Sequence, residues 1–454
     1  MATFFSSSSM SSLCWRRGAR RPLRRAATRL LLTLGLGCVT LAWAAPAARA
    51  YSVLTHEELI DLAWEGSIAP LLRSRYPGLS AAELENARAY AYGGCVIQDI
   101  GYYPFGDPFF SDLTHYVRSG DFVVNLFRDA HNANELAFAI GALSHYIGDT
   151  VGHAQATNLA VPVEFPGLAR RYGPSVNYAE APHAHVQTEF AFDINEIAHH
   201  RFAPLHYLRH VGLHVPVRQL ESAFYETYGL HEGLSSSHSR RINVRGYRFA
   251  VHSFLPRIAY AVTVLHRSHM PADTSDPVFQ RFAAATAQVA AVNNWGQYRK
   301  TAGIGTYALA GVLFVLPKVG PLKLVAIKGP SPATERDYVG SVMASSDALN
   351  AGLSRFGAPH QTLPNRDLDT GAKVKPGGYP LTDSTYASLL HRITAEPTIA
   401  VPAGLKADVE QYYADPASPI TTKQHPEQWA RVQADLHTLA TMPVRDEPLA
   451  AETE

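Results

Sequence analysis

The chain has 454 residues, of which 46% are apolar and 17% charged, and it contains only three cysteines. This composition excludes a disordered chain and a disulfide-built scaffold, and the length allows one large domain or two ordinary ones. The formal net charge is +1, but the first fifty residues hold eight arginines and no acid. The remaining 32 Lys and Arg face 39 Asp and Glu. This net charge of −7 argues against nucleic acid as a partner.

Residues 1–50 have the features of a signal peptide. An arginine-rich stretch at residues 16–29 precedes an apolar run at residues 30–45, and Ala-Arg-Ala follows at 48–50. This order is typical of a cleaved export signal. A membrane anchor is the alternative, but the apolar run is short and ends in Ala and Pro. We therefore predict an exported chain, periplasmic or secreted, by a route that the sequence leaves open.

Cleavage between Ala50 and Tyr51 would make Tyr51 the mature N-terminus. A free α-amine has a pKa of about 8, so it can lose its proton and bind a metal ion. Of the three cysteines, the mature chain would keep only Cys95. An intrachain disulfide is therefore excluded in spite of the oxidising compartment.

The mature sequence has the periodicity of helices and little strand-like alternation, which predicts an all-α fold. We expect a helix with Thr55 as its N-cap and another that ends at Gly93 and Gly94. Further helical patterns cover residues 134–154, 185–200, 216–228, 243–266 and 278–298. Seventeen of the 21 histidines lie between His56 and His269. Residues 51–270 are therefore the predicted functional domain.

The remaining chain contains no recognisable chemical motif. Residues 271–328 are predicted to add core helices. The apolar run TYALAGVLFVLP, which starts at Thr306, is shorter than the ~20 residues that span a bilayer, and we interpret it as a buried core helix rather than a membrane span. Residues 329–382 are rich in Pro, Gly and polar residues and predict extended loops or a linker. Helices are expected to return at 384–395 and 427–441, so residues 329–454 form a loop-rich, partly helical C-terminal extension of unknown role.

The strongest local motif is HYIGDTVGH, which holds His145, Asp149 and His153. At positions i, i+4 and i+8 of a helix, these side chains drift only about 80° around the axis and share one stripe. Gly148 and Gly152 leave that stripe open to a partner element or an ion. Imidazole and carboxylate groups are zinc ligands, whereas a polar stripe in the core is the alternative interpretation.

Other candidate ligands are weaker when taken singly. His185 and Glu189 form a second pair at i, i+4, which is also common on solvated helix faces. The set is completed by Tyr51 through its amine, His56, Asp99 and His115, with His183 and Asp112 as alternatives to His185 and His115. No thiolate is present among these groups, which argues against a structural zinc finger. Mixed imidazole and carboxylate sites are typical of hydrolytic metal chemistry.

The order of these residues resembles the zinc-dependent phospholipase C family, which is related to the single-strand-specific zinc nucleases and to glycosylphosphatidylinositol-specific phospholipase D. The likeness covers about residues 51–270 and includes GCVIQDIGYYP, LTHY, ALSHYIGDTVGHA and HVQTE. Tyr51 stands where secreted members have Trp. The three residues between Asp149 and His153, where the secreted bacterial enzymes have five, resemble the phospholipase D branch.

The resemblance implies an all-helical fold with three zinc ions. One ion would be held by Asp99, His115, His145 and Asp149. A second would be held by His153, His185 and Glu189. The third would be held by Tyr51 and His56, with Asp149 bridging to it. Asp99 would also accept the proton of the attacking water.

Three functions follow from these residues. The first is a phosphodiesterase of the phospholipase C type, in which zinc-bound hydroxide attacks phosphorus in line, with possible transient contact to a membrane surface. The second is a nuclease on the same scaffold, which would need exposed aromatic rings for base stacking. The candidates are Tyr102, Tyr103, Phe105, Phe109 and Phe110, which would equally suit acyl chains. The third is a zinc-binding protein without activity. The sequence does not define the head group or the oligomeric state.

Overall fold

The computed structural model describes residues 52–103, 106–230, 238–266, 275–299, 304–315, 329–355 and 362–446. Within these ranges the chain is predominantly helical. Its strands there are two parallel segments of two residues each, β1 (Val401–Pro402) and β2 (Val444–Arg445). The all-α prediction is therefore confirmed. The predicted signal peptide and Tyr51 lie outside the described residues.

The described α-helices cover most of the chain in short to medium lengths. In order they are α1 (Val53–Ala63), α2 (Ala69–Arg75), α3 (Ala81–Gly94), α4 (Pro108–Tyr116), α5 (Ser119–Arg128), α6 (Ala133–Gly152), α7 (Asn158–Glu164), α8 (Pro166–Tyr172), α9 (Pro182–Ala198), α10 (Leu205–Val211), α11 (Val217–Tyr228), α12 (His238–Phe249), α13 (Leu255–His266), α14 (Pro277–Val292), α15 (Trp295–Tyr298), α16 (Ile304–Val315), α17 (Pro332–Leu353), α18 (Pro380–Thr394), α19 (Ala403–Tyr412) and α20 (Pro426–Thr441). π-helical segments at Trp64–Ile68, His153–Thr157 and Ala250–Phe254 join α1 to α2, α6 to α7 and α12 to α13. Single 3-10 segments lie at Ile97–Tyr102 and Thr421–Gln424.

Helix α1 begins earlier than its sequence predicts. Ser52 is the N-cap residue, and Thr55, the predicted cap, lies inside the first turn. The Thr55 hydroxyl donates instead to Oδ1 of Asp193 at 2.7 Å, and the backbone N–H of Leu54 donates to Oδ2 of the same carboxylate at 3.1 Å. The prediction was wrong because a side chain 138 residues away from Thr55 serves this helix end.

Helices α3 and α6 pack closely because glycines line their contact. A Cβ on Gly94 would lie 2.1 Å from the carbonyl oxygen of Phe138, and a Cβ on Gly141 would lie 2.3 Å from the carbonyl oxygen of Ala91. Side chains at these positions would clash with the backbone of the facing helix. Helix α6 also packs against α5 and α17, so it lies at the centre of the described chain.

Residues 332–353 correct the prediction of loops. They form α17, a helix of 22 residues that is capped by Ser331 and begins with Pro332 in its first turn. Its small and polar residues gave no clear apolar period, but Tyr338, Val339 and Val342 are buried in the core. The helices predicted at 384–395 and 427–441 are present as α18 and α20.

Helix α16 corresponds to the apolar run that was interpreted as a buried core helix. Ala310 and Leu313 are buried, but Tyr307 and Phe314 are exposed. The interpretation is therefore correct for the face that packs with α9 and α13 and wrong for the face that carries Tyr307 and Phe314. No described helix is long and apolar enough to cross a membrane.

Candidate metal centre

The motif on helix α6 lies in the interior of the protein. His145 and Asp149 belong to the helix, and His153 opens the π-helical segment that continues it. All three side chains are fully buried. Nε2 of His145 lies 3.0 Å from Oδ2 of Asp149. The predicted stripe is therefore present, and neighbouring elements complete it on both sides.

The first group combines three elements that are distant in sequence. Asp99 lies in the 3-10 segment that follows α3, His115 lies near the end of α4, and His145 lies on α6. One possible ligand atom from each lies within 4.8 Å of the other two. Nε2 of His115 is 3.4 Å from Oδ1 of Asp99 and 3.6 Å from Oδ2 of Asp149. This arrangement presents two nitrogens and two carboxylates to one small volume.

Helix α1 brings His56 to the opposite oxygen of Asp149. Nε2 of His56 lies 3.2 Å from Oδ1 of Asp149, and the ring of His56 stacks on that of His145 with centroids 4.3 Å apart. Gly148 makes this possible, because a Cβ there would lie 2.9 Å from Leu59 and 3.3 Å from the His56 ring. One oxygen of Asp149 therefore faces His56, and the other faces His115 and His145. A carboxylate that bridges two metal ions requires this geometry.

The second group is formed by His153, His185 and Glu189. The last two residues lie one turn apart on α9, and Nδ1 of His185 is 2.9 Å from Oε1 of Glu189. Nε2 of His153 is 3.2 Å from the same oxygen. All three side chains are buried. The i, i+4 pair on α9 thus faces the core and not solvent.

Backbone carbonyl groups orient three of the histidine rings. Nδ1 of His145 lies 3.0 Å from the carbonyl oxygen of Cys95, and Nδ1 of His115 lies 2.7 Å from that of Ser111. Nδ1 of His153 lies 2.7 Å from the carbonyl oxygen of Leu368. In the neutral rings these contacts place the proton on Nδ1 and leave Nε2 with a lone pair toward the carboxylates. Such contacts are typical of metal-ligating histidines.

His185 is oriented through a side chain instead. Its Nε2 lies 2.9 Å from Oδ1 of Asn158, whose amide nitrogen donates to the backbone carbonyl of Asp369 at 2.8 Å. The amide orientation of Asn158 is therefore fixed, and Nδ1 of His185 is the nitrogen that faces Glu189. The backbone of residues 368–369 therefore supports both histidines of this group. The Leu368 carbonyl contacts His153, 215 residues away in sequence, and the Asp369 carbonyl contacts Asn158, 211 residues away.

The carboxylates dominate the electrostatics of the site. Burial lowers the pKa of His115, but the nearby carboxylates of Asp149 and Asp99 outweigh burial and raise that pKa to about 10. Burial also lowers the pKa of His153, but the hydrogen bond with Glu189 outweighs burial and raises that pKa to about 10. Burial would raise the pKa of Asp149, but the surrounding histidines hold it well below its usual range. The site therefore stabilises positive charge on His115 and His153, whereas burial lowers the pKa of His56. A metal ion would replace the protons of these rings.

Several buried polar atoms in these groups have no hydrogen-bond partner. Within the described residues they are Oδ1 of Asp99, both carboxylate oxygens of Asp149, and the inward nitrogens of His115, His145 and His185. Buried polar atoms are normally satisfied, and an unsatisfied one costs free energy. Cations would satisfy all of these atoms together, and the mixed imidazole and carboxylate set suits zinc. The residues present therefore fit the metal that their pattern predicts.

The alternative ligands lie outside these groups. His183 is exposed at the first turn of α9, and Asp112 accepts a hydrogen bond from the Tyr102 hydroxyl at 2.9 Å. Asn158 and Leu368 were not predicted from the sequence. A backbone carbonyl can come from any residue type, so no sequence signal identifies Leu368. Asn158 lies five residues after His153, but nothing in the sequence indicates that its side chain orients a candidate ligand.

The aromatic residues expected to stack on bases are buried. Tyr102, Tyr103, Phe109 and Phe110 are each less than a tenth exposed, and Phe105 lies outside the described residues. The expectation of an exposed aromatic platform is therefore wrong for these four. They pack between α4, α5 and α11 or beside the histidines, where Tyr102 contacts the His115 ring. Stacking on single-stranded nucleic acid has no support from these four residues.

Residues 55–237 match the family described as zinc dependent phospholipase C. The match begins one residue before His56 and includes all the described candidate ligands through Glu189. No curated protein and no solved structure matches the chain.

Proposed function

We propose that this chain, whose residues 55–237 match the zinc-dependent phospholipase C family, is an exported phosphodiesterase that hydrolyses phospholipids at a centre of three zinc ions. The observation that carries the proposal is the convergence of buried imidazole and carboxylate groups in three clusters. The groups are His56, His145 and Asp149; Asp99, His115 and His145; and His153, His185 and Glu189. The α-amine of Tyr51 would complete the group of His56.

Each residue has a role that follows from its position. Bound zinc would supply Lewis acidity that activates water and neutralises the charge of the phosphate oxygens. Asp99, which has one buried oxygen free of hydrogen bonds, would take the proton from the attacking water. Asp149 would hold two ions at a fixed separation, since its oxygens face His56 and His145 on opposite sides. The carbonyl groups behind the imidazoles keep the ligand nitrogens turned toward the carboxylates.

The reaction is the cleavage of a phosphodiester on the glycerol side, with water as nucleophile and the diacylglycerol alkoxide as leaving group. The buried walls around the ligands exclude bulk water and strengthen every charge interaction within the site. Three cation-binding groups suit a phosphodiester, whose negative charge is shared by two phosphate oxygens. They would also stabilise the further negative charge that these oxygens carry in the transition state. Transient contact with a membrane surface follows from a phospholipid substrate.

The test uses mature protein that begins at Tyr51. It is assayed with phosphatidylcholine, phosphatidylinositol, a water-soluble nitrophenyl phosphodiester of choline, and single-stranded DNA. We expect release of a phosphorylated head group, loss of turnover on chelation, and recovery with zinc. Faster cleavage of DNA than of any lipid would assign the nuclease function instead. Stoichiometric zinc without turnover of any substrate would leave a zinc-binding protein.

A further inference from the structure

Positive charge is concentrated in one segment of the mature chain. Residues 233–334 contain twelve Lys and Arg but only two acids, Asp273 and Asp276. This segment has a net charge of +10, whereas the rest of the mature chain has 20 cations and 37 acids, a net charge of −17. Arg245, Arg248 and Arg257 of this segment are exposed on α12 and α13. A segment with this much net positive charge is attracted to anionic surfaces.

Helix α16 lies in the same segment and presents an apolar face to solvent. Phe314 is 74% exposed and Tyr307 is 58% exposed, and Ala308 and Gly311 between them are also exposed. Positions 307, 311 and 314 follow the i, i+4, i+7 spacing of one helix face. The helix holds no charged residue. Its 12 residues extend about 18 Å, which is too short to cross the ~30 Å hydrocarbon core of a bilayer.

The opposite face of α16 is connected to the candidate metal centre through packed helices. Ala310 and Leu313 pack with Ala261 and Val262 of α13. The same cluster includes Ala191 and Ile194 of α9. Helix α9 carries His185 and Glu189. The exposed apolar face is therefore two helix layers away from a pair of candidate ligands.

We propose that the α16 face, defined by Tyr307, Ala308, Gly311 and Phe314, binds the surface of an anionic phospholipid membrane. A short helix with bulky apolar side chains on its free face is suited to lie within the interface of a bilayer, and flanking cations attract anionic head groups. Lys300 and Lys318 flank the helix in sequence, and no acid occurs between residues 277 and 334. This inference rests on the proposed phospholipase activity, because it names the surface by which that enzyme would meet its substrate.

The experiment compares the Tyr307→Gln/Phe314→Gln double variant with the parent mature protein. The matched control is Ile399→Gln/Val444→Gln, which removes two apolar side chains that are 39% and 49% exposed elsewhere on the chain. Binding is measured by co-sedimentation with vesicles of phosphatidylcholine and phosphatidylglycerol, and with vesicles of phosphatidylcholine alone, in the presence of a chelator. Turnover is measured separately on vesicles and on the water-soluble nitrophenyl phosphodiester.

We expect the parent and the control to bind the mixed vesicles more tightly than the neutral ones, with binding that weakens as salt is added. The double variant should lose on the order of tenfold in vesicle affinity, since two large apolar side chains no longer enter the interface. Its turnover of the soluble substrate should equal that of the parent. Equal vesicle binding by parent and double variant would overturn the inference. The inference would also be overturned if the double substitution converted a dimer into a monomer without loss of vesicle binding. In that case a second copy of the chain would cover this face in the parent protein.

These measurements separate membrane binding by the α16 face from phosphodiesterase activity. If no substrate is turned over but the double variant still loses vesicle binding, the proposed function fails and the membrane surface stands. If lipids are hydrolysed equally by both proteins and binding is unchanged, the function stands and the surface fails.

Discussion

Nδ1 of His153 and the backbone carbonyl oxygen of Leu368 lie 2.7 Å apart, although 215 residues separate them in the chain. The neighbouring carbonyl of Asp369 receives the amide of Asn158, which in turn contacts His185. The backbone N–H of Leu368 also donates to the carbonyl oxygen of His115 at 3.1 Å. Residues beyond the range of the family match therefore support candidate ligands in two of the three groups.

The support for His185 can be tested by substitution of Asn158. The change Asn158→Leu removes the oxygen that lies 2.9 Å from Nε2 of His185, so the ring is free to rotate or to change tautomer. We expect zinc affinity at the second group to fall by about 10–100-fold, the usual cost of losing such a contact. The measurement is zinc content against a competing chelator. Asn158→Asp keeps the acceptor for His185 but loses the donor to the Asp369 carbonyl, so it should retain more zinc affinity than Asn158→Leu.

The matched control for this change is Asn125→Leu. Asn125 is buried to a similar degree and donates to the Thr227 hydroxyl at 2.8 Å, away from all candidate ligands. It should lose stability but keep its zinc. Equal zinc loss in both variants would show that general destabilisation, and not ring orientation, is the cause.

Asp149 is the residue whose loss should be most costly. Its two oxygens lie 3.2 Å from His56 and 3.0 Å from His145, so it alone among the described carboxylates is placed to bridge two groups. The change Asp149→Asn keeps the shape but removes the charge. Turnover should fall by at least about 10²–10³-fold, the scale for loss of one group that stabilises transition-state charge. Near-normal turnover in this variant would make Asp149 a structural residue, and Asp347→Asn on an exposed helix face controls for the chemistry of the substitution.

The sequence predicted the two helical pairs because their pattern is local. His145 with Asp149 and His185 with Glu189 are one helical turn apart, so periodicity alone places each pair on one face. His56, Asp99 and His115 each stand alone in the sequence, and only the family resemblance grouped them. Their approach depends on how α1, α4 and the 3-10 segment pack around α6, which no local pattern encodes.

Other features had no sequence signal at all. The Leu368 carbonyl could belong to any residue. Helix α17 was missed because small and polar residues occupy its length, and the burial of Tyr338 and Val342 depends on partners in α1 and α14. The cap of α1 was misplaced for the same reason, since its acceptor is Asp193 on another helix.

Metal stoichiometry tests the grouping as a whole. We expect three zinc ions per mature chain, and exhaustive chelation should abolish turnover. The change His185→Ala should remove one ion and leave the first group filled, since His185 belongs only to the second group. Metal analysis of the parent and this variant, with exposed His183→Ala as the control, provides the measurement. One ion or none in active parent protein would contradict the trinuclear proposal.

The C-terminal extension should contribute a pH-dependent term to stability through Asp408. Burial raises the pKa of this carboxyl above its ordinary 3.8, although the Tyr386 hydroxyl and Arg118 oppose the shift. As the pH rises through 3.8, the unfolded chain therefore loses the proton first. The native state then becomes less stable, by at most about 1.4 kcal/mol per pH unit, until the native carboxyl also ionises.

This dependence is checked with Asp408→Asn, which keeps an acceptor for Tyr386 but does not titrate. Denaturant unfolding of parent and variant, measured from pH 4 upward, should show the parent losing stability relative to the variant. Parallel stability curves would mean that Asp408 is solvated in the native protein.

The start of helix α1 is held in a way that bears on the predicted N-terminal ligand. Asp193 accepts hydrogen bonds from the N–H of Leu54 and the hydroxyl of Thr55, and the Thr55 hydroxyl also contacts that of Tyr338 at 2.8 Å. His56, one residue further, faces Asp149. The described start of this helix, which follows the predicted N-terminus in sequence, is therefore fixed beside the candidate centre.

Export should consequently activate the enzyme. In the precursor the nitrogen of Tyr51 is an amide, which is a poor ligand at neutral pH, whereas the free amine with a pKa of about 8 can bind zinc. Protein that begins at Tyr51 is compared with protein that carries two extra residues before it, for zinc content and for turnover of the soluble phosphodiester. The extended form should lack one zinc ion and be nearly inactive. Tyr51→Trp should be tolerated, because only backbone atoms would ligate. Equal zinc and equal turnover in the extended and mature forms would remove the N-terminal ligand and leave at most a two-metal site.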